Sequence, residues 1–203
     1  MNIQEFEGIT LEETIEKAEY NLKLKRKDFQ IKSDEVKAGL FKGKKVKISV
    51  LTNKEIINFV KDYLKNITQK MGIDVKIEVK LKDDGIYFMM FTQDSSILIG
   101  KKGKTLNSIQ LLVRQAIYSK TDFFVNNIII DAEYYKVKQK KNLERLANQL
   151  ADEVIATNME VKLEDMSSYE RKIIHNALMN RDEIYTESEG EEPNRHIVIK
   201  PNK

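Results

Sequence analysis

Apolar and polar positions along this 203-residue chain change period repeatedly, and each change of period predicts an element. Ile3 to Glu7 is a short extended run. Thr10 then stands as a helix N-cap, with Glu12 and Glu13 in the acidic first turn that a helix dipole favours, ahead of Ile15, Ala18, Tyr20 and Leu22. Phe29 to Ile31 reads as a strand, Lys37 to Gly43 interrupts it, and Val46, Ile48 and Val50 alternate as a further strand. The result is a small β-α-β-β unit. Its loop holds Leu40 and Phe41 between two glycines, an apolar pair that either tucks under its own domain or meets a partner.

After the short hinge Thr52-Asn53, apolar residues at Ile57, Val60, Leu64, Ile67 and Met71 step by three and four, the period of a helix, and Gly72 stops it. Val75, Ile77, Val79 and Leu81 alternate, Asp83-Asp84-Gly85 turns the chain, and Ile86, Phe88 and Met90 alternate again, which predicts a hairpin. A short helix, Ser96 to Ile99, breaks at Gly100. A second helix carries Leu106, Ile109, Leu112, Val113, Ala116 and Ile117, and a strand runs from Phe124 to Ile130. The order is α-β-β-α-α-β, with a glycine pair between the last two helices. A long helix is then predicted over 132–157, with Leu143, Leu146, Leu150, Val154 and Ile155 as its core stripe. An extended piece, Met159 to Leu163, precedes Ser167-Ser168-Tyr169-Glu170, a capping box that opens a helix burying Ile173, Ile174, Ala177 and Leu178. Strands near 183–187 and 196–199 flank the turn Gly190-Glu191-Glu192-Pro193. The fold class is α+β, in three small domains.

Composition narrows the function. Apolar residues make up 41% of the chain, with eight Phe and eight Tyr, enough to fill cores rather than leave the chain disordered. Without Cys there is neither a disulfide framework nor a thiolate ligand or nucleophile. No apolar run approaches the roughly 20 residues that span a bilayer, and the first residues are acidic where a signal peptide is basic, so the expected location is the cytoplasm. The net charge of +3 is unevenly spread: between Gly100 and Arg145, ten Lys or Arg face four acids. That local excess of positive charge is what a phosphate-binding surface needs.

Two constellations carry candidate chemistry. In Gly100-Lys101-Lys102-Gly103-Lys104, glycines let a ligand approach the backbone, the following helix offers free N–H groups and its positive dipole end, and lysines add charge. A G-x-x-G loop at this place in an α-β-β-α-α-β unit is how a KH domain clamps a sugar-phosphate backbone. Of the aliphatic residues around it, Ile97, Ile99, Ile109, Ile128 and Ile130 are mostly core, and a subset including Ile97 and Ile99 would line a groove for bases. The second constellation is Arg171 and His175, four apart on the capped helix. Arg presents a planar fork to phosphate, and His donates to phosphate or stacks on a base. Lys138 and Lys141, with Lys136 and Lys140, make the start of the long helix an electrostatic track. The two His lie on different elements, and neither a Walker loop nor a metal motif occurs, so no enzyme activity and no cofactor are expected.

On these residues the chain resembles the Jag family of bacterial RNA-binding proteins, also called KhpB or EloR. The resemblance rests on Gly100-Lys101-Lys102-Gly103, on Ser167-Ser168-Tyr169-Glu170-Arg171 with His175, and on Ser188-Glu189-Gly190-Glu191-Glu192-Pro193. It implies a Jag-N domain at 1–51, a type II KH domain at 53–131, and at 132–203 a single-stranded nucleic-acid-binding domain named for its Arg-x-x-x-His motif. Lys37 to Gly43 follows the family's glycine-rich lysine loop only in part, and the long linker of some relatives is replaced here by Thr52-Asn53. The resemblance further implies binding of single-stranded RNA without catalysis, as an RNA chaperone or post-transcriptional regulator. It also implies association with a second small KH protein or a second copy of the chain, and a role in cell elongation, cell shape and cell-wall biogenesis near the membrane insertase. The alternative is a protein-interaction adaptor at that machinery, with RNA binding incidental.

Overall fold

The computed structural model describes residues 1–36 and 45–202, so the Leu40-Phe41 pair lies outside the described residues. The chain forms two compact units, Met1–Glu133 and Tyr134–Lys203.

The first unit contains two three-stranded sheets. Strands β1 (Gln4–Gly8), β2 (Phe29–Val36) and β3 (Lys45–Thr52) pair antiparallel in the order β1-β3-β2. Helix α1 (Leu11–Leu22), capped by the Thr10 side chain accepting from the Glu13 amide, packs Ala18 with Phe29, Ile48 and Val50. Tyr20, at 85% exposure, stays outside that core. Thr52 ends β3 and also caps α2 (Asn53–Lys70), its hydroxyl accepting from the Glu55 amide, so strand passes to helix with no residue between.

The second sheet follows the expected α-β-β-α-α-β order. Antiparallel β4 (Lys76–Lys82) and β5 (Gly85–Phe91) form the hairpin, and β6 (Ile128–Ala132) lies parallel to β5, giving the order β4-β5-β6. A parallel partner requires a crossover, supplied by α3 (Ser95–Ile99) and α4 (Lys104–Thr121). Ile86, Phe88 and Met90 alternate into the core, joined by Leu106, Ile109, Val113 and Ile117 from α4 and by Ile128 and Ile130. The buried stripe of α2 is Ile56, Val60, Leu64 and Thr68, rotated from the expected Ile57-Ile67-Met71 edge, which is only half-buried. Thr68 can be buried because its hydroxyl donates to the Lys65 carbonyl. The last strand begins later than expected, at Ile128, and leaves Phe124 76% exposed, its ring stacked on Tyr118 at 4.2 Å.

The second unit packs α5 (Tyr135–Thr157) and α6 (Ser168–Leu178) on a sheet of β7 (Val161–Lys162), β8 (Ile184–Glu189) and β9 (His196–Pro201), in the order β7-β9-β8. The core stripe of α5 is Leu143, Ala147, Ala151 and Val154, whereas the expected Leu146 and Ile155 face solvent. Alanines on the inner face let the α6 side chains Ile173, Ile174 and Leu178 share this core. No helix among the described residues is long and apolar enough to cross a membrane.

Phe88 is fully buried at the centre of β5. Phe88→Ala is expected to destabilise the first unit by about 3–5 kcal/mol, through lost transfer energy and the cavity left behind. Urea unfolding monitored by circular dichroism checks this through the shift in midpoint.

Candidate nucleic-acid interface

The crossover from β5 to β6 bends at Gly100, and backbone geometry dictates what can stand there. Gly100 closes α3 by donating its N–H to Ser96 O at 2.9 Å, with φ +70° and ψ 179°. A Cβ at this position would overlap the Thr105 hydroxyl and come within 2.8 Å of the Thr105 Cβ. Lys101–Gly103 then form a single 3-10 turn closed by the Gly103 amide donating to Gly100 O at 3.2 Å. Lys102 and Gly103 also have positive φ, 53° and 74°. Three of the four loop residues therefore occupy a region that L side chains avoid, and both glycines fall within it.

Gly103 is the N-cap of α4 and brings no side-chain hydrogen bond to it. The first-turn amides of an 18-residue helix thus end at a glycine, with Lys101, Lys102 and Lys104 exposed around them. Leu98 is fully buried, while Ile97 is 55% exposed and Ile99 half-buried. Of the five isoleucines considered for a groove, Ile109, Ile128 and Ile130 are core, which leaves Ile97 and Ile99 accessible beside the loop. The arrangement can hold an anion on backbone amides and lysines with an aliphatic surface next to it. On α4, Leu112 faces solvent rather than the core, and with Leu111 and Tyr118, on which Phe124 stacks from beyond the helix, it makes an apolar outer surface.

In the second unit, the capping box forms as expected: the Ser167 hydroxyl accepts from the Glu170 amide and the Glu170 carboxylate accepts from the Ser167 amide at 2.9 Å. Arg171 follows directly, but its side chain is turned inward. It is 8% exposed, donates from Nη1 to Met166 O at 2.7 Å, and pairs through Nη2 with Glu192 Oε1 at 2.8 Å. His175, one turn on, is exposed and shares a 2.6 Å hydrogen bond between Nδ1 and Thr186 Oγ1 of β8. The pair expected to present a common face is therefore divided between a committed guanidinium and an open imidazole. Lys138 and Lys141 are exposed on α5, whereas Lys140 pairs with Glu144 at 3.7 Å. Sequence reasoning passed over Arg195, which is exposed and donates from Nε to Ser188 Oγ at 3.1 Å. The spacing of Thr186 and Ser188, two apart on one face of a strand, was the available signal.

Residues 57–129 match the family described as KhpA/KhpB, KH domain, and residues 141–201 match the domain family named for the Arg-x-x-x-His motif. The RNA-binding protein KhpB of Bacillus subtilis is 37% identical over 164 residues, 79% of this chain and 78% of that protein. The RNA-binding protein KhpB of Clostridium symbiosum is 38% identical over 129 residues, 64% of this chain and 58% of that protein. The Lactiplantibacillus plantarum protein of the same name is 33% identical over 147 residues, 72% of this chain and 45% of that protein. The chain thus spans about half the length of the last two.

Gly100→Ala combines a left-handed backbone with overlap at Thr105. It is expected to lower stability by about 1–3 kcal/mol. Lys101→Asp with Lys102→Asp changes exposed side chains only, and Asp tolerates the conformation at Lys102, so each change is expected to stay within about 0.5 kcal/mol. Thermal melts of both variants by circular dichroism make the comparison.

Proposed function

The chain belongs to the KhpB family, and on that premise we propose that it binds single-stranded RNA without catalysing a reaction, as an RNA chaperone or post-transcriptional regulator. The observation that carries this reading is the Gly100–Gly103 loop, where two glycines at positive φ, a helix N-terminus without a side-chain cap and three exposed lysines meet at one point. A phosphodiester backbone lies against the glycines, the α4 amides and the lysines hold its oxygens, and bases rest on Ile97 and Ile99. The C-terminal unit takes a neighbouring stretch through His175, with Lys138 and Lys141 adding charge. Two moderate sites on one chain raise affinity together by tethering.

The family resemblance supports a cytoplasmic role tied to cell elongation and cell-wall homeostasis. A second reading, an adaptor for protein partners, is favoured by one feature. The apolar outer face of α4, with Leu111, Leu112 and Tyr118 running on to Phe124, suits a second small KH protein or another copy of this chain. The two readings are compatible, and substitutions separate them.

Anisotropy of a labelled single-stranded RNA at two salt concentrations tests the first. Lys101→Asp with Lys102→Asp is expected to weaken binding by about ten-fold or more and to flatten the salt dependence, because fewer counterions are released. If this variant binds RNA as wild type does, the loop is not the grip, and the adaptor reading takes its place.

A further inference from the structure

The Arg-x-x-x-His helix offers an arginine that is not free to do what its motif suggests. Arg171 is buried and commits two donors internally, one to the Met166 carbonyl and one to Glu192 in the β8–β9 turn. Both bonds lead to the same place. The Met166 amide in turn donates to the Arg195 carbonyl at 3.0 Å, and Glu192 stands three residues before Arg195 on the turn. Arg171 therefore ties together two neighbours of a second arginine, Met166, which is bonded to its carbonyl, and Glu192, earlier in the same turn.

Arg195 is exposed, and its Nε donates to Ser188 Oγ, which holds the guanidinium while its Nη groups have no partner among the described residues. Ser188 and Thr186 lie two apart on β8, on the face shared with Ile184, and Thr186 is the residue that His175 bonds. Thus β8 sets an imidazole and a planar cation in register on one strand. Three of the nearby acids are already paired with cations. Glu187 and Glu189 alternate to the other face of β8, where Lys200 clamps them at 2.8 and 2.6 Å, its ammonium held well above the usual lysine range and the Glu189 carboxyl below the usual carboxylate range. Glu192 is already neutralised by Arg171.

We propose that Arg195, with His175 and the Thr186 and Ser188 hydroxyls, forms the phosphate-binding site of the C-terminal unit, and that Arg171 is a positioning residue for it. The ligand is a phosphodiester of single-stranded RNA, so the assignment rests on the RNA-binding reading above. A forked cation beside an imidazole and hydroxyls can take one phosphate by bidentate, charge-assisted hydrogen bonds.

The test uses the full chain and a short mixed-sequence single-stranded RNA, with affinity measured across salt and melting measured in parallel. Arg195→Ala is expected to weaken binding several-fold to about ten-fold, to reduce the slope of log affinity against log salt by about 0.7, and to leave melting unchanged. Arg195→Lys should restore the slope but only part of the affinity, since the fork is lost. Arg171→Ala should lower melting and affinity together while keeping the slope of wild type. Lys32→Ala, the same charge removed from an exposed position on β2, is the control and should change neither slope nor affinity. If Arg195→Ala binds with the affinity and slope of wild type, or Arg171→Ala alone loses the slope, the assignment is overturned and the RNA-binding reading stands. If wild type binds no RNA, both fall.

Discussion

The parallel pairing of β5 with β6 is the constraint from which the first unit's candidate site follows. Parallel neighbours cannot be joined by a tight turn, so the chain must leave the sheet and return, with its backbone groups satisfied on the way. Helices α3 and α4 meet that need, and burial of Leu98, Leu106 and Val113 presses them back onto the strands. Two helices of different direction must be joined by an elbow, and the elbow is Gly100–Gly103. The Gly100–Gly103 loop is thus a consequence of sheet topology, positioned by the core and closed by the Gly103 amide on Gly100 O.

Much of this was legible because strand alternation and glycine placement are local properties. Ile86, Phe88 and Met90 could only face one way, and glycines at 100 and 103 stand where φ is positive. Two helix faces differ from expectation, each for its own reason. On α5, Leu146 and Ile155 were expected in the core stripe, yet close approach to α6 places the small Ala147 and Ala151 there. On α2, a hydroxyl satisfied within its own helix let Thr68 occupy a core position that an apolar residue was expected to fill. Phe124 was expected to open the last strand, but that strand starts at Ile128 and the Phe124 ring stacks on Tyr118 outside the sheet.

In the C-terminal unit the motif was legible and the division of labour was not. Whether a guanidinium is free depends on what tertiary structure brings to it, and Glu192 comes from 21 residues away. Residue type and helical spacing place Arg171 and His175 one turn apart, but they cannot distinguish a side chain that reaches outward from one that braces a turn. The capping box at Ser167 shows the opposite case, because its partners lie three residues apart and nothing distant can intervene.

The passage from β3 into α2 bears on modularity. Thr52 pairs with Phe29 as the last residue of a strand and caps a helix with its hydroxyl. Any boundary drawn between the two sheets therefore takes something from one of them: a cut before Thr52 removes the residue that pairs with Phe29 at the end of β3, and a cut after it strips α2 of its cap. Because Thr52 serves both elements, exchanging the N-terminal sheet or the KH fold for a foreign counterpart requires rebuilding the joint as well.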